Sequence, residues 1–325
     1  LEGRTAGRRR DDDTATLPNH PLLRSLARDV RELQLRLPPH DDEHHDDAAR
    51  PATLLGRLQA DLRDDVPPGT AELDESLQVH ACATRLRADG AVVTLMGRRR
   101  EKLEESKATL EASGGPEVRT SAGDVANEDD VIAAVKTAAD ANGALHGCVA
   151  AAGTGTFGAL LDTQRAAWDA VLATNLTGAM LTIKHAGRAM MPAPEGGAAG
   201  GGSIVTISSI AGVMGVGSSI PYACSKGALN TLTLTLARWF SPAVRVNTVC
   251  PGFIQTRWLL GGMGEENYNK LKQSQEQTAP LRQAGTPEQM AEAVMFFLTS
   301  ASNITGEFLI VDAGIHLASL PMKAR

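Results

Sequence analysis

From Ala81 onward the hydrophobic positions fall into two regimes, short apolar runs bounded by glycine and longer stretches of helical period. The first stretch, ACATRLRADGAVVTLMGRR, reads as the end of a helix, a turn at Gly90 and a strand from Ala91 to Met96. A helix from about Glu101 to Ala112 follows, then a strand near Val118, a helix starting near Asn127 and a buried strand in His146 to Ala152. A long helix from about Thr163 to Met190 comes next. The glycines 196, 197, 200, 201 and 202 behind it precede a strand and no helix, so they form no phosphate loop. The run SIVTISS from Ser203 reads as a strand, Ile220 to about Trp239 as a helix and Val244 to Val249 as another strand. Residues 257 to 280, which hold Trp258, Met263 and Tyr268, lack a clear period. A helix at Pro287 to Leu298 and a strand at Phe308 to Val311 close the series. Strands alternating with long helices predict an α/β fold, a doubly wound and mostly parallel sheet over residues 81–325.

Residues 1–80 break this pattern. They contain no Phe, Tyr, Trp, Ile or Lys, yet hold five of the eight histidines and many Arg, Asp and Pro. Such a segment buries little, and most of it is expected to be disordered. One helix is predicted around Leu22 to Leu37, ended by Pro38 and Pro39. His40, His44 and His45 among Asp41, Asp42, Glu43, Asp46 and Asp47 read as a solvated polar run, because nothing around them would hold a ligand geometry. No metal site is expected.

Composition narrows the function classes. The chain has 325 residues, 42% of them hydrophobic, enough for one sizeable core plus an extension. Residues 1–80 carry all of the net charge of −6, with 11 Lys+Arg against 17 Asp+Glu. The remainder is balanced, so no basic patch exists for nucleic acid. No run approaches a membrane span, and LEGRTAGRRRDDD leads into no apolar segment. Cys82, Cys148, Cys224 and Cys250 lie far apart and read as small buried hydrophobes in a reducing compartment, which makes a cytoplasmic enzyme the expectation.

The candidate chemistry lies in Ser203 to Lys226. Tyr222 and Lys226 are four residues apart at the start of a helix, which puts both side chains on one face. An ammonium beside a phenol favours the phenolate, so such a tyrosine sheds its proton more easily than a free one and can serve as an acid or base. Ser209, thirteen residues earlier, stands at the carboxyl end of the preceding strand, where open α/β sheets place their ligands.

The serine, the tyrosine thirteen positions on and the YxxxK spacing resemble the active site of the short-chain dehydrogenase/reductase family, and among its members the reductases of 3-oxoacyl thioesters. The resemblance covers residues 81–325. It implies a nicotinamide-dependent oxidoreductase acting on a carbonyl compound or secondary alcohol, with Ser209, Tyr222, Lys226 and Asn175 as the catalytic set. Asn175 lies within TNLTG on the long helix, where the bland reading is an exposed asparagine. In the implied mechanism it orders a water that links Lys226 to solvent. For the cofactor the resemblance implies Arg98 after the second strand, Asp124 and Val125, Ala152 and Gly153, Tyr222 and Lys226, and the PGxxxT loop with Pro251, Gly252, Ile254 and Thr256. Arginine at position 98, where an acidic residue would select NAD, favours NADP(H), with NAD(H) possible. Asp124 could equally cap the helix that follows it. Ala150-Ala151-Ala152-Gly153 replaces the family's Asn-Asn-Ala-Gly. Residues 257–280 match the variable substrate lid, and the helices at Thr163 to Met190 and Ile220 to Trp239 match the faces through which members form dimers or tetramers.

One part of the resemblance is missing. The family's glycine-rich cofactor loop should immediately precede Ala81, but its glycines would fall at Leu73, Leu77 and Val79, and the strand before it at DVPPGTA. Pro67 and Pro68 exclude a central strand there, and Leu or Val in the loop would keep a pyrophosphate from the helix amides. The expected outcome is a slot in the middle of the sheet. Translation from another reading frame upstream of about residue 80 accounts best for this, since the missing Ile, Lys, Phe and Tyr belong to AT-rich codons and the first residue is Leu. A fusion or truncation and a natural degenerate enzyme are the alternatives. The competing functional class is a catalytically silent scaffold or oligomer partner with impaired cofactor binding.

Overall fold

The computed structural model describes residues 70–71, 76–142, 145–191 and 201–318. The helix at Leu22 to Leu37 and the histidine cluster at 40–45 lie outside the described residues, as does nearly all of the atypical extension.

The strands are β1 (Thr70–Ala71), β2 (Val93–Gly97), β3 (Val118–Ala122), β4 (Gly147–Ala150), β5 (Gly155–Thr156), β6 (Gly202–Ile207), β7 (Val244–Pro251) and β8 (Phe308–Val311). The helices are α1 (Ser76–Ala88), α2 (Arg100–Ala112), α3 (Glu128–Asn142), α4 (Arg165–Leu172), α5 (Ala179–Met190), α6 (Ala211–Met214), α7 (Ile220–Phe240), α8 (Arg257–Met263), α9 (Glu265–Thr278) and α10 (Pro287–Met295). β4, β6, β7 and β8 form one parallel sheet in that order, with Val149 beside Val205, Val205 beside Asn247 and Val249 beside Leu309. β2 and β3 pair in parallel as a separate piece.

The break falls where the first strand of a doubly wound sheet belongs. Among the described residues nothing bridges β2 to β4, and Thr70–Ala71, from the DVPPGTA stretch, pairs antiparallel with β5 instead.

Alternation along the strands builds a core on each face, as a sheet covered on both sides requires. Ile204, Val244 and Val246 pack against Ile183, Ala186 and Met190 of α5 and Ala237 and Phe240 of α7. Val205, Ile207 and Val249 pack against Met290, Val294 and Phe297, with Cys82 of α1 in the same cluster. Val79, where the cofactor loop would need a glycine, is a partly buried member of this packing.

Two expectations change. Residues 257–278 are not irregular but form α8 and α9, parted at Gly264. Cys224 is exposed, unlike buried Cys82 and Cys250, because it lies on the outer face of α7. Burial pushes the Cys82 and Cys148 thiols up to about 12, as expected of inert packing groups.

Candidate active site

The carboxyl ends of the parallel strands carry the candidate residues. Arg98 follows β2, Asp124 and Val125 follow β3, Ala152 and Gly153 follow β4, Ser209 follows β6, and Gly252 to Thr256 follow β7. This is the rim on which open α/β sheets bind ligands. Four of these residues, Ser209, Gly252, Ile254 and Thr256, meet Tyr222 of α7 and Pro251 around one cavity of about 50 Å³.

The start of α7 sets the tyrosine. Ser219 has extended backbone and accepts a hydrogen bond from the Tyr222 N–H at 3.4 Å, and Pro221 stands in the first turn, so the helix begins where the serine caps it. One turn later Lys226, 1% exposed, places Nζ 5.6 Å from the centre of the Tyr222 ring. Its Nζ donates to the Ile207 carbonyl at 2.8 Å, and its own carbonyl accepts from Ser208 Oγ at 3.1 Å. The end of β6 and the first turns of α7 are thereby clamped together. Gly212 makes that approach possible, because a Cβ there would lie 2.5 Å from the Lys226 carbonyl carbon. Ser209 Oγ accepts from the Ala211 N–H at 3.1 Å and faces the cavity half-buried.

Asn175 lies in a π-helical segment, Ala173–Gly178, that joins α4 to α5 in what the periodicity reads as one helix. It is fully buried. Oδ1 accepts from the Thr154 N–H at 2.7 Å, while Nδ2 donates to the Thr154 carbonyl and to Ser225 Oγ, both at 2.9 Å. Ser225 Oγ in turn donates to the Tyr222 carbonyl at 2.7 Å. Both amide protons are thus committed to protein groups, and the side chain ties the loop after β4 to the helix that carries Tyr222.

After β3, Asp124 Oδ1 accepts from the Ala126 N–H at 2.9 Å in a local turn, and its own N–H donates to Asp130 Oδ2 at 2.9 Å. The cap of α3 is Asn127, whose Oδ1 accepts from Asp129 N–H at 3.0 Å, so the capping role considered for Asp124 falls to its neighbour. Val125 packs against Gly178 of the π-helical segment.

The spacing of motifs did not reveal Ser219 or Ser225, and it placed Trp258 in the lid without its contact to Tyr222. Ser219 was legible as a serine two positions before a helix-opening proline. The indole of Trp258 stacks on Tyr222, ring centres 6.1 Å apart, and on Phe157 at 5.6 Å, so α8 lies over the candidate tyrosine. Beside the site, burial pushes the Cys250 thiol up to about 11 although Ser208, Ser209 and Lys226 pull it down, so it is no nucleophile.

The residues present fit a dinucleotide at one end only. Gly252 and Ile254 of the 251–256 loop and the polar groups of Ser209, Tyr222 and Thr256 suit a nicotinamide and its ribose. The other end lacks the glycines that open a helix N-terminus to a pyrophosphate. Leu77 and Val79 lie inside α1, and Gln78 of the same turn lines the cavity.

The family model for enoyl-(acyl carrier protein) reductase matches residues 79–316. Among curated relatives, 2-(S)-hydroxypropyl-CoM dehydrogenase 3 of Xanthobacter autotrophicus is 34% identical over 72% of this chain and 91% of its own. A granaticin polyketide synthase putative ketoacyl reductase 2 from Streptomyces violaceoruber is 37% identical over 72% of this chain and 90% of its own. A solved short-chain dehydrogenase/reductase from Mycobacterium ulcerans superposes with a TM-score of 0.66 at 32% identity, over 74% of this chain and 86% of that one. The chain belongs to the short-chain dehydrogenase/reductase family, a family of nicotinamide-dependent oxidoreductases acting between carbonyl and alcohol.

Proposed function

We propose that the site interconverts a small-molecule ketone and its secondary alcohol, with Tyr222 as the proton donor in reduction and the proton acceptor in oxidation. One observation carries this: Ser209, Tyr222 and the 251–256 loop converge on a single cavity, with the buried Lys226 ammonium 5.6 Å from the Tyr222 ring. A bound nicotinamide supplies or accepts the hydride. Ser209 hydrogen-bonds the substrate oxygen and orients it, and Lys226 favours negative charge as it develops on the phenol oxygen. Asn175 is a positioning residue, acting through Thr154 and Ser225 on the helix that holds Tyr222.

In this reading Arg98 favours NADP(H) through the forked donors of its guanidinium. Asp124, Val125, Ala152 and Gly153 flank the adenosine side, and Pro251, Gly252, Ile254 and Thr256 the nicotinamide. Exposed Ile220, Leu234 and Trp239 along α7 support a homodimer or homotetramer. Among the described residues no helix is long and apolar enough to cross a membrane, and four free thiols suit the cytoplasm. The absent glycines favour a second reading, a catalytically silent scaffold that keeps the fold.

Replacing Tyr222 by Phe tests the first reading. At saturating NADPH with a cyclic ketone, the variant is expected to lose about 10²–10⁴-fold in turnover, the range of general acid catalysis. Unchanged turnover would refute the role of Tyr222, and no turnover by the parent chain would favour the scaffold.

A further inference from the structure

Two buried side-chain atoms have no hydrogen-bond partner among the described residues: Ser218 Oγ and Trp258 Nε1. Buried polar groups are paired in the great majority of cases, so each such atom asks for a reason. Both belong to residues at the same spot. A Cβ built on Gly155 would lie 3.1 Å from Trp258 Cζ2, 3.4 Å from Tyr222 Cδ2 and 3.5 Å from Ser218 Oγ. The bare backbone of Gly155 is therefore what lets the indole, the hydroxyl and the candidate tyrosine crowd together.

The chemistry of the two atoms is specific. An indole N–H only donates, and a serine hydroxyl can donate beside it, so the pair suits an acceptor oxygen and not a cation. Among the described residues the cavity lining is uncharged, with Ser208, Ser209, Ile254, Leu259, Trp258 and Tyr222 in it, and Ser218 stands beside Gly155 outside that lining. Lys226 is no part of that lining, and its Nζ is bonded to the Ile207 carbonyl. A charged substrate would lose its hydration there with no charged group among the described lining residues to replace it. The indole also offers a flat face, now stacked on Tyr222 at an interplanar angle of 29°. A cavity of about 50 Å³ has room for one or two waters. A ring needs more room than this, which an outward shift of α8 taking the indole off the Tyr222 ring would give.

We propose that Trp258 and Ser218 select the substrate, and that the site takes an uncharged, flat or cyclic ketone bearing a second acceptor oxygen. The ring lies against the indole, and the second oxygen accepts from Trp258 Nε1 and the Ser218 hydroxyl. This inference rests on the reading in which the reacting carbonyl faces Tyr222.

The test is a ligand-observed NMR titration of the full chain, which needs no turnover. The probes are cyclohexanone, 1,4-cyclohexanedione and 4-oxocyclohexanecarboxylate. The dione should bind about fivefold to tenfold more tightly than cyclohexanone, the worth of one or two neutral hydrogen bonds, and more tightly than the carboxylate. Ser218→Ala and Trp258→Phe should each erase most of that preference, so that dione and cyclohexanone bind the same variant about equally, whatever each variant does to ring affinity in general. Ser218→Ala alone decides the matter should Trp258→Phe fail to fold. Equal affinity for dione and monoketone, a preference that survives both substitutions, tightest binding of the carboxylate, or no binding at millimolar concentration would each overturn the proposal. A preference insensitive to both substitutions sinks the subsite even where Tyr222→Phe abolishes turnover. A preference that behaves as expected sustains it even where Tyr222→Phe does not.

Discussion

Asn175→Ala removes a side chain that makes three hydrogen bonds in a fully buried position. Each is worth about 1 kcal/mol net, and the Thr154 N–H and carbonyl left without partners add about 1 kcal/mol or more between them, for a total of roughly 3–5 kcal/mol. At a urea slope of about 3 kcal/mol/M, the unfolding midpoint should fall by roughly 1–1.7 M. Ser225→Ala removes two hydrogen bonds of the same network and should cost about half as much. Urea titrations of the parent and both variants, followed by circular dichroism, provide the comparison. If Asn175 acts only by ordering a water for Lys226, turnover will suffer while the midpoint holds. A shift below about 0.3 M in Asn175→Ala would therefore refute the bracing role.

Of the four cysteines, Cys224 alone should react promptly with a thiol reagent in the native protein, since burial pushes the Cys82, Cys148 and Cys250 thiols up to about 12, 12 and 11. All four should react in denaturant, and more than one fast thiol in the native state would contradict the packing. The Glu128 carboxyl is held below its usual range by hydrogen bonds from Lys184 and His185. Its stabilising contribution is therefore present above the unfolded carboxylate pKa and lost as pH falls through the lowered folded value, so Glu128→Gln should flatten that part of an acid-unfolding curve. Light scattering at micromolar concentration should return a dimer or tetramer, and a monomer would refute the assembly. The coding sequence upstream of codon 80, read in its other two frames, should contain an apolar strand followed by a glycine-rich loop. Its absence from both would leave fusion, truncation or degeneracy as the account of residues 1–80.

Much of this was legible because the cues were local. β8 falls on the predicted residues, and β2 lies within two of them, since short apolar runs between glycines have few other uses. Tyr222 and Lys226 could be placed together because helical spacing alone puts them on one face. The gap between β2 and β4 followed from two prolines that cannot donate to a ladder. What could not be read depended on contacts across the chain. The periodicity of Thr163 to Met190 does not show a π-helical segment, because one extra residue in a turn barely disturbs the apolar stripe. Nor does it reveal that Asn175 reaches Thr154 and Ser225, 21 and 50 residues away. The region 257–278 read as irregular because α9 is largely polar, leaving little stripe to detect. Trp258 stood out as an aromatic residue, but its stack on Tyr222 depends on how α8 folds back over the site.

This family site is expected to keep its nicotinamide half and to lack the backbone cradle for the pyrophosphate. Losing two or three amide contacts to an anion, each about 1.5–3 kcal/mol, weakens the cofactor at least a hundredfold at about 1.4 kcal/mol per decade. A titration of NADPH with the 325-residue chain, followed by nicotinamide fluorescence, measures this directly. The expected result is no saturation below about 100 µM. A micromolar dissociation constant would contradict the claim.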